Sequence, residues 1–179
     1  MMRTPSQTVG PFFGFALPFA DGPAIVPAWH PDAIRIEGRV LDGEGEPVPD
    51  AMVEMWQPDG MGAMPRATGA LRRDQRGFTG YGRCCTGGDG GYWFSTIKPG
   101  PVASAASCAA LLVFARGLLK PVATRIYFPE DAAAHAVDPV LAMVDRHRRV
   151  TLVASAKGDR LYGFDVRLQG ENETVFFAL

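Results

Sequence analysis

Apolar and polar residues alternate with a period of two along much of this chain. IRIEGRV (34–40) and AMVEMWQ (51–57) show it most plainly, with the turn-forming run DGEGEPVPD between them. Such alternation puts every second side chain on one face, so the stretch predicts strand, loop, strand. GYWFSTIKPG (91–100), the apolar run 109–116 and VATRIYF (122–128) predict three further strands, and VTLVA (150–154), LYGFDVRL (161–168) and ETVFFAL (173–179) the last three. Asp138 followed by Pro139 predicts an N-cap and a first helical turn, opening one short helix through VLAMVDRH. Residues 58–90 carry little periodicity and predict a long excursion, which in a compact domain is usually functional or interfacial. Short strands spaced by turns, with a single helix, predict an all-β fold, an antiparallel β-sandwich over 31–179 preceded by an N-terminal arm over 1–30.

Size and charge narrow the partners. A chain of 179 residues, 47% hydrophobic, buries one good core. Its 18 basic and 19 acidic side chains form no basic stripe, which argues against nucleic acid and anionic membrane. No apolar run reaches membrane-spanning length, and Pro11 and Pro18 interrupt the one near the start, which reads against a secretory signal. Three cysteines, with Cys84 and Cys85 adjacent, predict free thiols in a reducing cytoplasm. The expected partner is a small molecule or another protein.

The usual reactive constellations are absent from the pattern. GGDGG (87–91) leads into a strand, not a helix, and predicts a turn, not a phosphate cradle. His30, His135 and His147 have neither a serine elbow nor an HxH pair beside them; a metal centre from His135, His147 and Asp138 is a weaker reading than surface histidines. Glu54 and Asp59 could form an acid/base pair on one hairpin, but a strand carboxylate beside a tryptophan is more simply an ion-pair partner, and Trp56, Arg125 and Tyr127 read as core and rim residues. Arg116 ends the apolar run 109–115 and either snorkels at the rim or faces an anion. PFFGFALPF (11–19) is apolar enough to need cover, from this chain or a partner.

The order of the motifs TPSQTVGPFF, IRIEGRVLDGEGEPVPDAMVEMWQPDG, GGYWFSTIKPG, FARGLLKPVATRIYFPED and FDVRLQGENETVFFAL resembles the intradiol ring-cleaving dioxygenases, most closely the α type of their protocatechuate-cleaving members. The resemblance covers Thr4 to Leu179. It implies a β-sandwich and a ferric ion held by two tyrosines and two histidines in a catalytic β chain. It also implies an O2-dependent opening of a catechol ring in the β-ketoadipate pathway of aromatic catabolism. By alignment with the family the tyrosine positions fall on Met64 and Val102, and the histidine positions on Cys108 and Ala110. This chain is therefore expected to bind no metal, the Fe(III) being held by the β chain. Thr8, Pro11, Phe12 and Arg116 match the α-type positions that approach the partner's substrate pocket. The segment PVASAASCAA (101–110) is shorter than the family's usual loop. A non-enzymatic binding or assembly module on the same fold is the competing reading.

Overall fold

Two sheets face each other across one apolar core. The computed structural model describes residues 5, 7, 8, 10, 12–65 and 77–178. In chain order these contain β1 (Ala33–Leu41), β2 (Met52–Trp56), β3 (Tyr81–Cys85), β4 (Gly91–Ile97), β5 (Cys108–Phe114), β6 (Val122–Tyr127), β7 (Ser155–Gly158), β8 (Leu161–Gly163) and β9 (Val166–Arg167). One sheet has the order β4-β1-β8-β7 with β9 also on β1, and the other β3-β2-β5-β6. Ile36, Val40 and Phe94 from the first meet Val53, Met55, Leu111, Val113 and Ile126 from the second, all fully buried. Each such side chain contributes about 1.5–3 kcal/mol on burial. Ile25, from the N-terminal segment, joins the same core.

Gly38 sets how the last strands meet the first sheet. A Cβ there would lie 1.8 Å from the Phe164 carbonyl oxygen, so only glycine lets the chain cross β1 at that point. The crossing breaks LYGFDVRL into β8 and β9, both parallel to β1. Asp165 Oδ1 accepts from Arg39 N at 2.9 Å and the Tyr92 hydroxyl donates to Phe164 O at 2.6 Å, fixing the crossing.

Several elements differ from the sequence reading. The excursion 58–90 contains β3, whose inward positions are Gly82 and Cys84; Ile25 and Phe94 fill the space that a side chain at Gly82 would take. VTLVA is not a strand: Arg149–Leu152 forms a 3-10 turn that buries Leu152, and β7 follows at the exposed SAKG. Among its described residues ETVFFAL makes a single bridge, Phe177 to Ala123. The helix from Asp138 is α3 (Pro139–Ala142), shorter than expected, and it is joined by α1 (Phe13–Ala16) and α2 (Ala132–His135), so there is more than one short helix. Among the described residues no helix is long and apolar enough to cross a membrane.

A second cluster, Ala106, Tyr127, Leu141, Val144 and Leu152, packs on the outer face of the β3-β2-β5-β6 sheet around Asp138. Asp138, 1% exposed, accepts from Val140 N (2.9 Å) and Leu141 N (2.8 Å) through Oδ1 and from Ala106 N (2.8 Å) through Oδ2. Asp138→Ala strands those three donors and is expected to cost about 3 kcal/mol in chemical denaturation. A loss below about 1 kcal/mol would show that this carboxylate does not organise the layer.

Candidate functional site at the two ends of strand β5

The outer face of the β3-β2-β5-β6 sheet carries every candidate that the resemblance singles out on a strand. Alternation sends Ala109, Leu111 and Val113 into the core and leaves Cys108, Ala110, Leu112 and Phe114 outward. Pairing then lines up Tyr81–Trp56–Ala110–Arg125 as one outward row and Arg83–Glu54–Leu112–Ala123 as the next. Cys85, Met52 and Phe114 close one end of the face, and Cys108 with Tyr127 the other.

Glu54 anchors the middle. Its Oε1 accepts from Arg83 Nη2 (2.6 Å), Arg83 Nε (2.9 Å) and the Tyr81 hydroxyl (2.9 Å), with both charged side chains nearly out of water. Burial, then the neighbouring Glu54, pushes the Tyr81 phenol up to about 12. Arg83 Nη1 also donates to the Leu17 carbonyl, Arg83 N to Gly22 O at 3.0 Å, and Phe19 stacks on Tyr81. The arm is thereby fastened along β3. Glu54 is thus an ion-pair partner, and Asp59 is a turn residue whose Oδ1 caps Met61 N and Ala63 N.

At the Phe114 end the arm and Arg116 come together. Thr8 Oγ1 accepts from Gly117 N at 2.9 Å, where Gly117 takes φ +89 and turns the chain out of β5. Arg116 Nε pairs with Asp50 Oδ2 at 2.9 Å while 64% of its side chain stays exposed. Phe12, just before α1, is exposed, as are Phe15 and Leu17. Pro11 lies outside the described residues. Asp50 was legible only as a turn former; nothing in its neighbourhood signals its partner.

The other end holds the positions aligned with metal ligands. Ala110 and Cys108 stand on β5, at most about 20 Å and about 26 Å along the chain from Arg116. Met64 and Val102 are both exposed, on adjoining loops that Gly100 N ties together by donating to Asp59 O at 2.8 Å. A methyl, an isopropyl and a thioether offer no hard oxygen donor, and burial pushes the Cys108 thiol up, so it stays protonated. These side chains do not fit a ferric ion. Among the described residues no three His, Cys, Asp or Glu side chains are grouped to hold a metal. Nor do the histidines assemble: His30 Nδ1 accepts from Asp32 N, His135 meets Tyr127 edge-on at 5.6 Å, and His147 is exposed. GGDGG is a turn, with Asp89 Oδ1 accepting from Gly91 N. All three cysteines are free.

Comparison with known proteins agrees with this geometry. The dioxygenase family profile matches residues 10–170. The protocatechuate 3,4-dioxygenase alpha chain of Burkholderia cepacia is 43% identical, the match covering 99% of this chain and 98% of that one. The beta chain of the same enzyme from that organism is 33% identical over 80% of this chain and 67% of its own length. The dioxygenase domain of a carbohydrate-binding fusion protein from Streptomyces sp. SirexAA-E shares the fold, with a TM-score of 0.61 and 24% identity over 93% of this chain and 98% of that one. By its length-spanning sequence match and its two-sheet sandwich, the chain belongs to the intradiol ring-cleavage dioxygenase family.

Proposed function

We propose that this chain is the metal-free α-type subunit of a protocatechuate 3,4-dioxygenase, assembled with an iron-bearing β chain in the cytoplasm. The complex would insert both atoms of O2 between the two hydroxylated ring carbons of protocatechuate, giving 3-carboxy-cis,cis-muconate. The observation that carries this reading is the end-to-end similarity to an alpha chain in a sequence whose four aligned ligand positions lack donors for iron. The ferric ion belongs to the partner, and this chain supplies shape and charge.

Arg116 is the residue suited to the substrate. Asp50 pairs with its Nε while most of the side chain stays exposed, and a guanidinium has further donors to offer an anion. Protocatechuate carries a ring carboxylate, which a guanidinium pairs with bidentately. Thr8 pins the arm beside it through Gly117 N, and the family resemblance assigns Pro11 and Phe12 to the wall of the same pocket. The exposed Phe12, Phe15 and Leu17 form an apolar surface of the kind that a partner chain covers. None of these groups acts as acid, base or metal ligand; they orient the ring and exclude water.

Co-expression with a β-type chain should give oxygen uptake with protocatechuate, whereas this chain alone should give none; a complex without uptake would favour the binding module. In that complex Arg116→Ala should raise KM for protocatechuate about tenfold and leave KM for catechol, which lacks the carboxylate, within about twofold. Equal effects on both substrates would remove Arg116 from carboxylate recognition. Asp50→Asn should shift the protocatechuate KM in the same direction by less, because it frees the guanidinium without deleting it.

A further inference from the structure

Arg83 holds the N-terminal arm by more than its charge. Its Nε and Nη2 are taken by Glu54 Oε1, and its Nη1 donates to the carbonyl of Leu17. Leu17 is the C-cap residue of α1, so the cation sits where the last carbonyls of a helix lack partners of their own. Four residues of helix are too few to hold their shape alone in water. What places α1 is therefore what it is fastened to: Phe13, 6% exposed, within it and Arg83 at its end. The arm stays close to Arg83 as far as Gly22, where a Cβ would lie 2.5 Å from the Arg83 carbonyl oxygen and where Arg83 N donates to Gly22 O at 3.0 Å. Beyond that point β4 takes over, Ser95 N donating to Pro23 O at 3.0 Å and Val26 N to Ser95 O at 3.1 Å.

A buried ion pair is a costly way to fill a sheet face, since apolar residues of similar volume often serve stability as well or better. Glu54 and Arg83 keep only 10% and 14% of their side chains exposed, so that cost applies to them. What apolar residues would lack is a donor aimed at a carbonyl of the arm. The segment fastened by that donor runs back from Leu17 to Thr8, and Thr8 Oγ1 accepts from Gly117 N, next to Arg116. Arg83 on β3 and Arg116 after β5 are thus joined through the arm, each held by its own carboxylate, Glu54 and Asp50.

Resting on the function proposed above, we propose that Arg83 is a positioning residue for substrate binding: it fixes the arm through the Leu17 carbonyl and so keeps Thr8 at the Gly117 turn beside Arg116, without touching the substrate itself. Arg83→Met alone strands the Glu54 carboxylate. The informative variant is Glu54→Leu with Arg83→Met, which removes the clamp and the buried charge together and should be at least as stable as the parent in chemical denaturation. In the full chain alone, hydrogen exchange at the Gly117 amide should speed up at least about tenfold in this variant, while the Leu111 and Val113 amides of β5 keep their protection. In the oxygen-consuming complex with a β-type chain, it should raise KM for protocatechuate at least about fivefold with kcat within about twofold. Arg83→Lys, which keeps the charge opposite Glu54 but not the fork of donors, should give a KM between the two. Adding Thr8→Val to the double variant should change KM by less than about twofold, because both act through one arm. A complex of unaltered chains that takes up no oxygen would remove the proposed function, and the substrate role of Arg83 with it. In an active complex, a KM indifferent to the double variant, unchanged exchange at Gly117, or a full additional effect of Thr8→Val would each overturn the role of Arg83 alone.

Discussion

The buried ion pair between Glu54 and Arg83 is the constraint on which the outer face depends. A carboxylate with 10% of its side chain exposed is tolerable on a sheet only beside a matched cation, and removing either partner of such a pair costs about 3–5 kcal/mol. Arg83 does more than neutralise. The same guanidinium reaches the Leu17 carbonyl, and its backbone amide reaches Gly22 O, so a charge on β3 dictates the path of the N-terminal arm. From there the arm continues toward the Phe114 end of β5, where Thr8 meets Gly117 and Arg116 turns outward.

Strand β5 thus has two ends with different side-chain chemistry. One end carries small or neutral side chains, Cys108 and Ala110, where the family resemblance expects metal ligands. The oriented, hydrogen-bonded shell that a metal site demands has no use there. The other end keeps a charged fork buttressed by Asp50 and an arm pinned by Thr8. The two ends differ in chemistry while the core positions between them, Ala109, Leu111 and Val113, stay packed in the one core.

The elements legible in the sequence are those whose inward positions are filled by large side chains. β1, β2, β4, β5 and β6 fall close to their predicted spans, and Asp138 caps its helix as expected. β3 escaped because glycine occupies an inward position and the filling residue, Ile25, comes from the arm. β7 escaped because an exposed edge strand imposes no alternation. VTLVA misled because one buried leucine among short apolar residues serves a 3-10 turn as well as a strand. At the site, Arg116 was legible as a cation beside an apolar run, and Glu54 as half of an ion pair. Their partners were not: Arg83 lies in the unpatterned excursion, Asp50 in a turn, and Thr8 binds a backbone amide that leaves no trace in side-chain identity.

The central claim is that this chain shapes a pocket whose iron is held elsewhere. The most direct measurement is the iron content of each chain after co-expression with a β-type partner and separation of the two. The account predicts about one iron per β chain and none retained by this chain, which should also be iron-free when purified alone. Stoichiometric iron on this chain purified alone would contradict it.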